Sequence, residues 1–317
     1  MNELRALEPD FWRAPSAHNT QPWTLTYADT EAVIGWDQDR CLPTSDPTGR
    51  DLRLSLGAFV ECCLIVCASA GLRVAFRPDP GPGRVGVLYG AAQPYQTPFT
   101  TDDVRRRGTN RGGYHPGRLP GDVVERLRGH DPHGQAEVRR LACRDLADLL
   151  HAADLHQWDD PAVTGELRAW LRLTPRHPRY PLDGLTHKTL ALSGAETVGL
   201  RAALAAYPAL RRLGLPRLLA GAARGLLDYD GDVLVLVGPV EEPVEEQVEL
   251  GRVLMRQWLA LTALGYTTHP LSQIIDCAAT RERLAAKLGV ADPETLLHVA
   301  RVGRPLAPAP RSSRLTG

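Results

Sequence analysis

The hydrophobic pattern changes period several times in the first hundred residues. Asn2 to Arg13 reads as a short helix, and "WTLTYADTEAVIGWD" alternates as two strands around a turn at Asp29-Thr30. "TSDPTGRDLRLSLGAFVECCLIVCASAGL" has turn residues, Thr48 as a helix cap, an apolar helix and a stop at Gly71. Two more strands, "LRVAF" and "VGVLY", flank the Pro/Gly-rich "RPDPGPGR", so a first unit closes near residue 100. A second unit, 101–317, opens with a short helix, a basic Gly-containing loop and a helix after Pro120. Helical patterns follow at "RDLADLLHAADLHQW" and "PAVTGELRAWLRL". "GDVLVLVG" reads as a buried strand, and "EPVEEQVELGRVLMRQWLALTALG" as a long helix, acidic at its start and stopped by Gly265. A strand, the helix "CAATRERLAAKLG" and the strand "LLHVARVGRP" close the globule, and "LAPAPRSSRLTG" reads as a disordered tail. Irregular mixing of strands and helices predicts a layered α+β or mixed α/β fold.

Composition narrows the classes of function. Basic and acidic residues balance at 37 each, so net charge asks for neither nucleic acid nor an anionic membrane. No apolar run is read as reaching the length of a membrane span, and "MNELRALEPDFW" has no signal-peptide core, so a cytoplasmic protein is expected. None of the six cysteines forms a CxxC; Cys62, Cys63 and Cys67 fall on the apolar helix as buried, inert thiols. Neither metal nor disulfide is expected. There is no GxxxxGK[ST], GxSxG or HExxH, and the one GxGxxG, Gly81 to Gly86, joins two predicted strands and opens no helix, which removes the sequence case for Rossmann, P-loop, hydrolase-elbow and zincin chemistry. "PVEEPVEEQVE" reads as a solvated turn and helix start, and Thr174 to Gly194, rich in Pro, Gly and His, as a cover loop or a connector.

Two segments carry candidate chemistry. "APSAHNTQPW" sets Ser16, His18, Asn19 and Gln21 between two prolines and ends at Trp23, suiting a loop that holds a flat polar group. In "RRRGTNRGGY", Arg107, Thr109 and Arg111 alternate, so their side chains can converge on one anion, and guanidinium forks suit phosphate. Read alone, that run is equally a solvated basic turn, and Asn19 and Gln21 equally cap a turn; Trp23 is read as core.

Together these segments resemble the nitroreductase-like flavoproteins, in the Acg-type branch. "APSAHNTQPW" is similar to the family's PSxxNxQPW loop, and "RRRGTNR" to its basic phosphate motif. "LPTSDPTGRDLRLSLGAFVE" and the closing stretch from "WLALTALGY" to "VARVGRP" are similar to the branch as well. The resemblance implies an α+β nitroreductase-like fold that binds FMN. Ordinary members are short chains that dimerise, with the basic motif ahead of the PSxxN loop. Here the loop comes first, which implies two fused, pseudo-repeated halves, 1–100 and 101–317, sharing one complete site, with a monomer allowed. By resemblance Pro15, Ser16 and Asn19 meet the flavin ring, with His18 and Gln21 behind them. Arg107, Thr109 and Arg111 meet the phosphate, and Arg304 stands where the family adds a basic residue. Gly194, Ala195 and Glu196 lie where it places a backbone donor near N5. The implied activity moves hydride through N5 from NAD(P)H to a nitroaromatic, quinone or enone, or oxidises a natural-product intermediate. No side-chain base is needed, because the cofactor carries the chemistry. The rival readings are a flavin-sequestering protein whose lid, Thr174 to Gly194, blocks turnover, and a partner-binding descendant that has lost FMN.

Overall fold

The computed structural model describes residues 2–240 and 244–315. Helix α1 (Asn2–Phe11) leads to the hairpin β1 (Trp23–Tyr27) and β2 (Glu31–Trp36), then to α2 (Arg50–Ser69), β3 (Val74–Gly81) and β4 (Arg84–Gly90). After α3 (Thr101–Arg106) and α4 (Gly121–Arg128) come β5 (Glu137–Ala142), α5 (Ala147–Asp159), α6 (Pro161–Trp170) and the two-residue strands β6 (Leu171–Arg172) and β7 (Leu185–Thr186). Helices α7 (Gly194–Leu210) and α8 (Leu215–Ala222), strand β8 (Asp232–Val237), helix α9 (Val244–Ala263), strand β9 (Thr267–Pro270), helices α10 (Gln273–Asp276) and α11 (Ala278–Leu288), and strand β10 (Leu296–Gly303) complete the order. The fold is α+β.

Two antiparallel sheets of four strands run β1-β2-β4-β3 and β5-β8-β10-β9. The first hairpin pairs Trp23 with Trp36 through Tyr27 with Ala32, closing on Ala28 N–H to Glu31 O at 2.8 Å, around the expected Asp29-Thr30 turn. Strand β3 runs on through Pro78 and Pro80, tolerated because it is an edge strand. Strand β10 is buried throughout, between β8 and β9.

Helices α2 and α9 meet at the centre, and glycine sets how closely. A Cβ on Gly57 would lie 2.0 Å from the Val248 carbonyl oxygen and 2.7 Å from Gly251 Cα; one on Gly251 would lie 2.4 Å from the Leu54 carbonyl oxygen. The backbones themselves are therefore in contact. Fully buried Glu61, one turn on, accepts from Tyr95 Oη (2.8 Å), Arg252 Nε (2.9 Å) and Arg256 Nη1 (3.1 Å), so its charge is compensated by two guanidinium groups.

Helix α2 is buried almost continuously from Leu54 to Cys67, as a central helix must be. By length and composition it could cross a membrane, contrary to the expectation that no segment would; most of that stretch instead lies inside the protein. Burial pushes the Cys62 and Cys67 thiols up to about 12. Thr48 is not the cap: the helix starts after left-handed Gly49 (φ 70°), and Asp46 Oδ2 accepts Leu52 N–H at 2.9 Å. Gly71, with φ 74°, ends it as expected. The expected solvated turn at Glu241–Pro243 lies outside the described residues. The tail is not free coil: residues 306–315 run back over the basic loop, and Leu306 N–H reaches Gly113 O at 3.0 Å.

Candidate active site

The opening loop is wound tightly. His18, Asn19 and Gln21 have φ of 48°, 55° and 53°, and the remaining non-glycine residue with positive φ among those described is Ala191, at 56°. Left-handed backbone in non-glycine residues costs free energy and persists only where surroundings enforce it, which happens mostly at functional sites. Both stretches border the basic loop. Arg111 Nη1 donates to Thr189 O at 3.2 Å, and a Cβ on Gly112 would meet Ala191 Cβ at 3.9 Å.

Side chains of the loop tie three segments together. Ser16 Oγ accepts Gln21 N–H at 2.9 Å. Asn19 Nδ2 donates to Gly184 O (3.3 Å) and Ser313 O (3.1 Å), while its Oδ1 accepts from Arg314. Gln21, with no exposed surface, donates to Leu182 O at 3.0 Å and accepts Leu315 N–H at 3.0 Å. Asn19 and Gln21 thus bind the cover segment and the tail, rather than standing free to meet a ring. Pro15 is half-buried. Trp23 is core, stacked on Phe59 with ring centres 4.8 Å apart.

The cover is anchored. Asp183, fully buried within it, pairs with Arg40 (2.9 Å), Arg172 (3.0 Å) and Arg179. Strand β7, within the segment, pairs in parallel with β6. Thr174 to Gly194 is therefore tied to the body of the protein at both points.

The basic motif divides. Arg107 Nη2 donates to Arg13 O at 3.1 Å, and its guanidinium lies 5.7 Å from the Trp258 ring centre. Its Nε and Nη1 are buried without a partner among the described residues. Thr109 bridges to Thr268 of β9. Arg111 points instead to Thr189 O, close enough to His18 and His269 for its charge to act on both. Burial, then the Arg111 charge, lowers His18 to about 4, so this imidazole is neutral near pH 7. Burial also lowers Arg107, and lowers Arg111 to about 10.

No carboxylate among the described residues pairs with Arg107, Arg111, Arg301 or Arg314, whereas buried Arg172 and Arg256 and half-buried Arg252 all have one. Uncompensated buried guanidinium groups with unused N–H are what a phosphate dianion would satisfy. The residues present fit a phosphate-bearing cofactor.

Other expected residues lie elsewhere. Arg304 is exposed and stacks over Tyr266 at 4.7 Å. Gly194, Ala195 and Glu196 form the exposed first turn of α7, and the Glu196 carboxylate closes a capping box with Ser193. Arg105 and Arg106 pair at the surface with Asp10 and Asp103. Sequence spacing missed Arg13, Thr189, His269, Arg301 and Arg314. Arg301 joins the site through Arg111 O (3.0 Å), Gly112 O (2.8 Å) and His269 Nδ1 (2.9 Å). A buried Arg on the closing strand was the one available signal.

No protein-family model matches the chain. Whole-length relatives do: the Mycobacterium tuberculosis protein named "Putative NAD(P)H nitroreductase Rv3131" is 25% identical over 323 residues, covering 94% of this chain and 86% of that one. Over nearly its whole length the chain is thus similar to proteins named as nitroreductases. It is also 24% identical over 310 residues to the M. tuberculosis protein named "Putative NAD(P)H nitroreductase acg", covering 95% and 90% of the two chains. Among solved structures it is similar to the FMN-dependent nitroreductase NfnB from Mycobacterium smegmatis in complex with NADPH, at 21% identity and a TM-score of 0.41, over 67% of this chain and 95% of that one.

Proposed function

We propose that this protein is an FMN-dependent oxidoreductase of nitroreductase type, taking electrons from NAD(P)H and passing them to a small acceptor such as a nitroaromatic, quinone or enone. The observation that carries the proposal is the buried Arg107 guanidinium, with two nitrogens unpartnered, beside a loop wound through three left-handed non-glycine residues. Arg107 and Thr109 hold the phosphate. Arg111, beside His18, faces the ring end of the pocket, where Pro15, Ser16 and the loop backbone form the wall. FMN, when bound, supplies hydride transfer at N5. The chain positions it and excludes water: neutral His18 shapes the wall without adding a charge, and the Asp183-anchored cover closes one side. Asn19 and Gln21 act by fixing cover and tail to the loop.

We further propose that residues 1–100 and 101–317 are the two halves of a fused pseudo-dimer. In support, α2 and α9 are both twenty residues long and cross at the eighth residue of each, Gly57 and Gly251. The purified protein should be yellow, with one FMN per chain. NADH or NADPH added anaerobically should bleach it, and a quinone should restore the colour. The rival reading is a flavin-sequestering protein; a bound flavin inert to both reagents would decide for that. A colourless protein that takes up no FMN would end both readings.

A further inference from the structure

We propose that the C-terminal segment 306–315 forms a wall of the cofactor pocket and that Arg314 binds the phosphate opposite Arg107. The proposal rests on the FMN reading above and adds a ligand from a part of the chain that no motif marks.

The segment tracks the basic loop and ends on the PSxxN loop. Leu306 bonds to Gly113, and a Cβ on Gly108 would meet Ala309 Cβ at 3.1 Å. Ser313 Oγ donates to Tyr180 O of the cover at 2.8 Å, and Leu315 N–H to Gln21 Oε1. This path carries Arg314 inward. Its Nη1 donates to Asn19 Oδ1 (3.0 Å) and Ser313 O (2.8 Å), its Nη2 to Arg13 O (3.1 Å) and Ala14 O (3.4 Å). Arg13 O is also the acceptor for Arg107 Nη2, so the two guanidinium groups share one carbonyl. Among the described residues Arg314 Nε is buried and unpartnered, as are Arg107 Nε and Nη1. Carbonyl and amide oxygens orient this pair without neutralising it, and the charges of Arg107 and Arg13, after burial, lower Arg314 to about 9. Like-charged guanidinium groups held together in low dielectric call for a shared anion.

The test compares FMN with riboflavin, which lacks the phosphate, on flavin-stripped full-length protein and its Arg314→Ala and Arg314→Lys variants. In the wild type FMN should bind more tightly than riboflavin. Arg314→Ala should weaken FMN at least about tenfold while leaving riboflavin within about twofold, as expected for one charge-assisted contact, and Arg314→Lys should recover part of the loss. Equal weakening of both ligands would mean that Arg314 only supports Asn19, and would overturn the proposal. Unchanged or tighter FMN binding would overturn it too, the latter making the tail a competitor for the pocket. Wild-type protein that binds neither ligand would overturn the FMN reading itself, and that outcome is visible before any variant is made.

Discussion

Replacing Arg107 with Met should stabilise the cofactor-free protein and weaken its cofactor binding together. Met keeps the unbranched shape and removes the charge. The wild type carries two buried guanidinium nitrogens without partners, each costing about 1–3 kcal/mol. The bond to Arg13 O and the contact over Trp258 return about 2–3 kcal/mol of that. At mid-range the variant should therefore gain about 1.5 kcal/mol without FMN, a rise of a few degrees in Tm. With FMN the sign reverses: a charge-assisted phosphate contact is worth about 1.5–3 kcal/mol, so Kd should rise roughly 10- to 150-fold. Thermal unfolding with and without FMN, and a fluorescence titration of flavin, measure both terms. A variant less stable than wild type without FMN and equal to it in affinity would show that Arg107 is a structural arginine.

Three further perturbations probe the frame of the site. Gly57→Ala drives a methyl group into the Val248 carbonyl and should cost about 3 kcal/mol or more by urea unfolding; a loss below about 1 kcal/mol would mean that α2 and α9 part easily. Glu61→Gln leaves Arg252 and Arg256 partly uncompensated in the core and should cost about 3–5 kcal/mol, and an unchanged urea midpoint would sink that account. Asp154 is raised by burial from 3.8 to about 6, so its contribution to stability is full below about pH 4 and is lost as pH rises through 6. Asp154→Asn should accordingly match wild type near pH 4 and exceed it at pH 8 by up to about 3 kcal/mol; parallel stability curves across that range would refute the assignment.

Where hydrophobic period and turn chemistry agree locally, the fold was legible. The Asp29-Thr30 hairpin, the helix ended by Gly71 and the closing strand all read directly from the chain. Helix α7 was not, because "GAETVGLRAALAAYPAL" mixes Gly, Ala and Pro with weak amphipathic contrast. The PSxxN loop was legible, whereas the distant pairings of its side chains were not. Asn19 and Gln21 bond to partners more than 160 residues away, and no local pattern encodes such pairings. The tail failed for the same reason: Pro, Ser and Ala look unstructured until the acceptors for Ser313 and Arg314 are in place.

The glycine crossing also constrains how the chain is made. Gly57 finds its contact only at Gly251, roughly two hundred residues later in synthesis. At about 5–20 residues per second, a nascent chain holds the apolar α2 without its neighbour for roughly 10–40 s. The first hundred residues thus emerge with α2 lacking the partner that covers it. Stalled chains ending before α9 should be degraded by protease where chains extending past Gly265 resist it. The distance in sequence between Gly57 and Gly251 also sets the order in which the core can close.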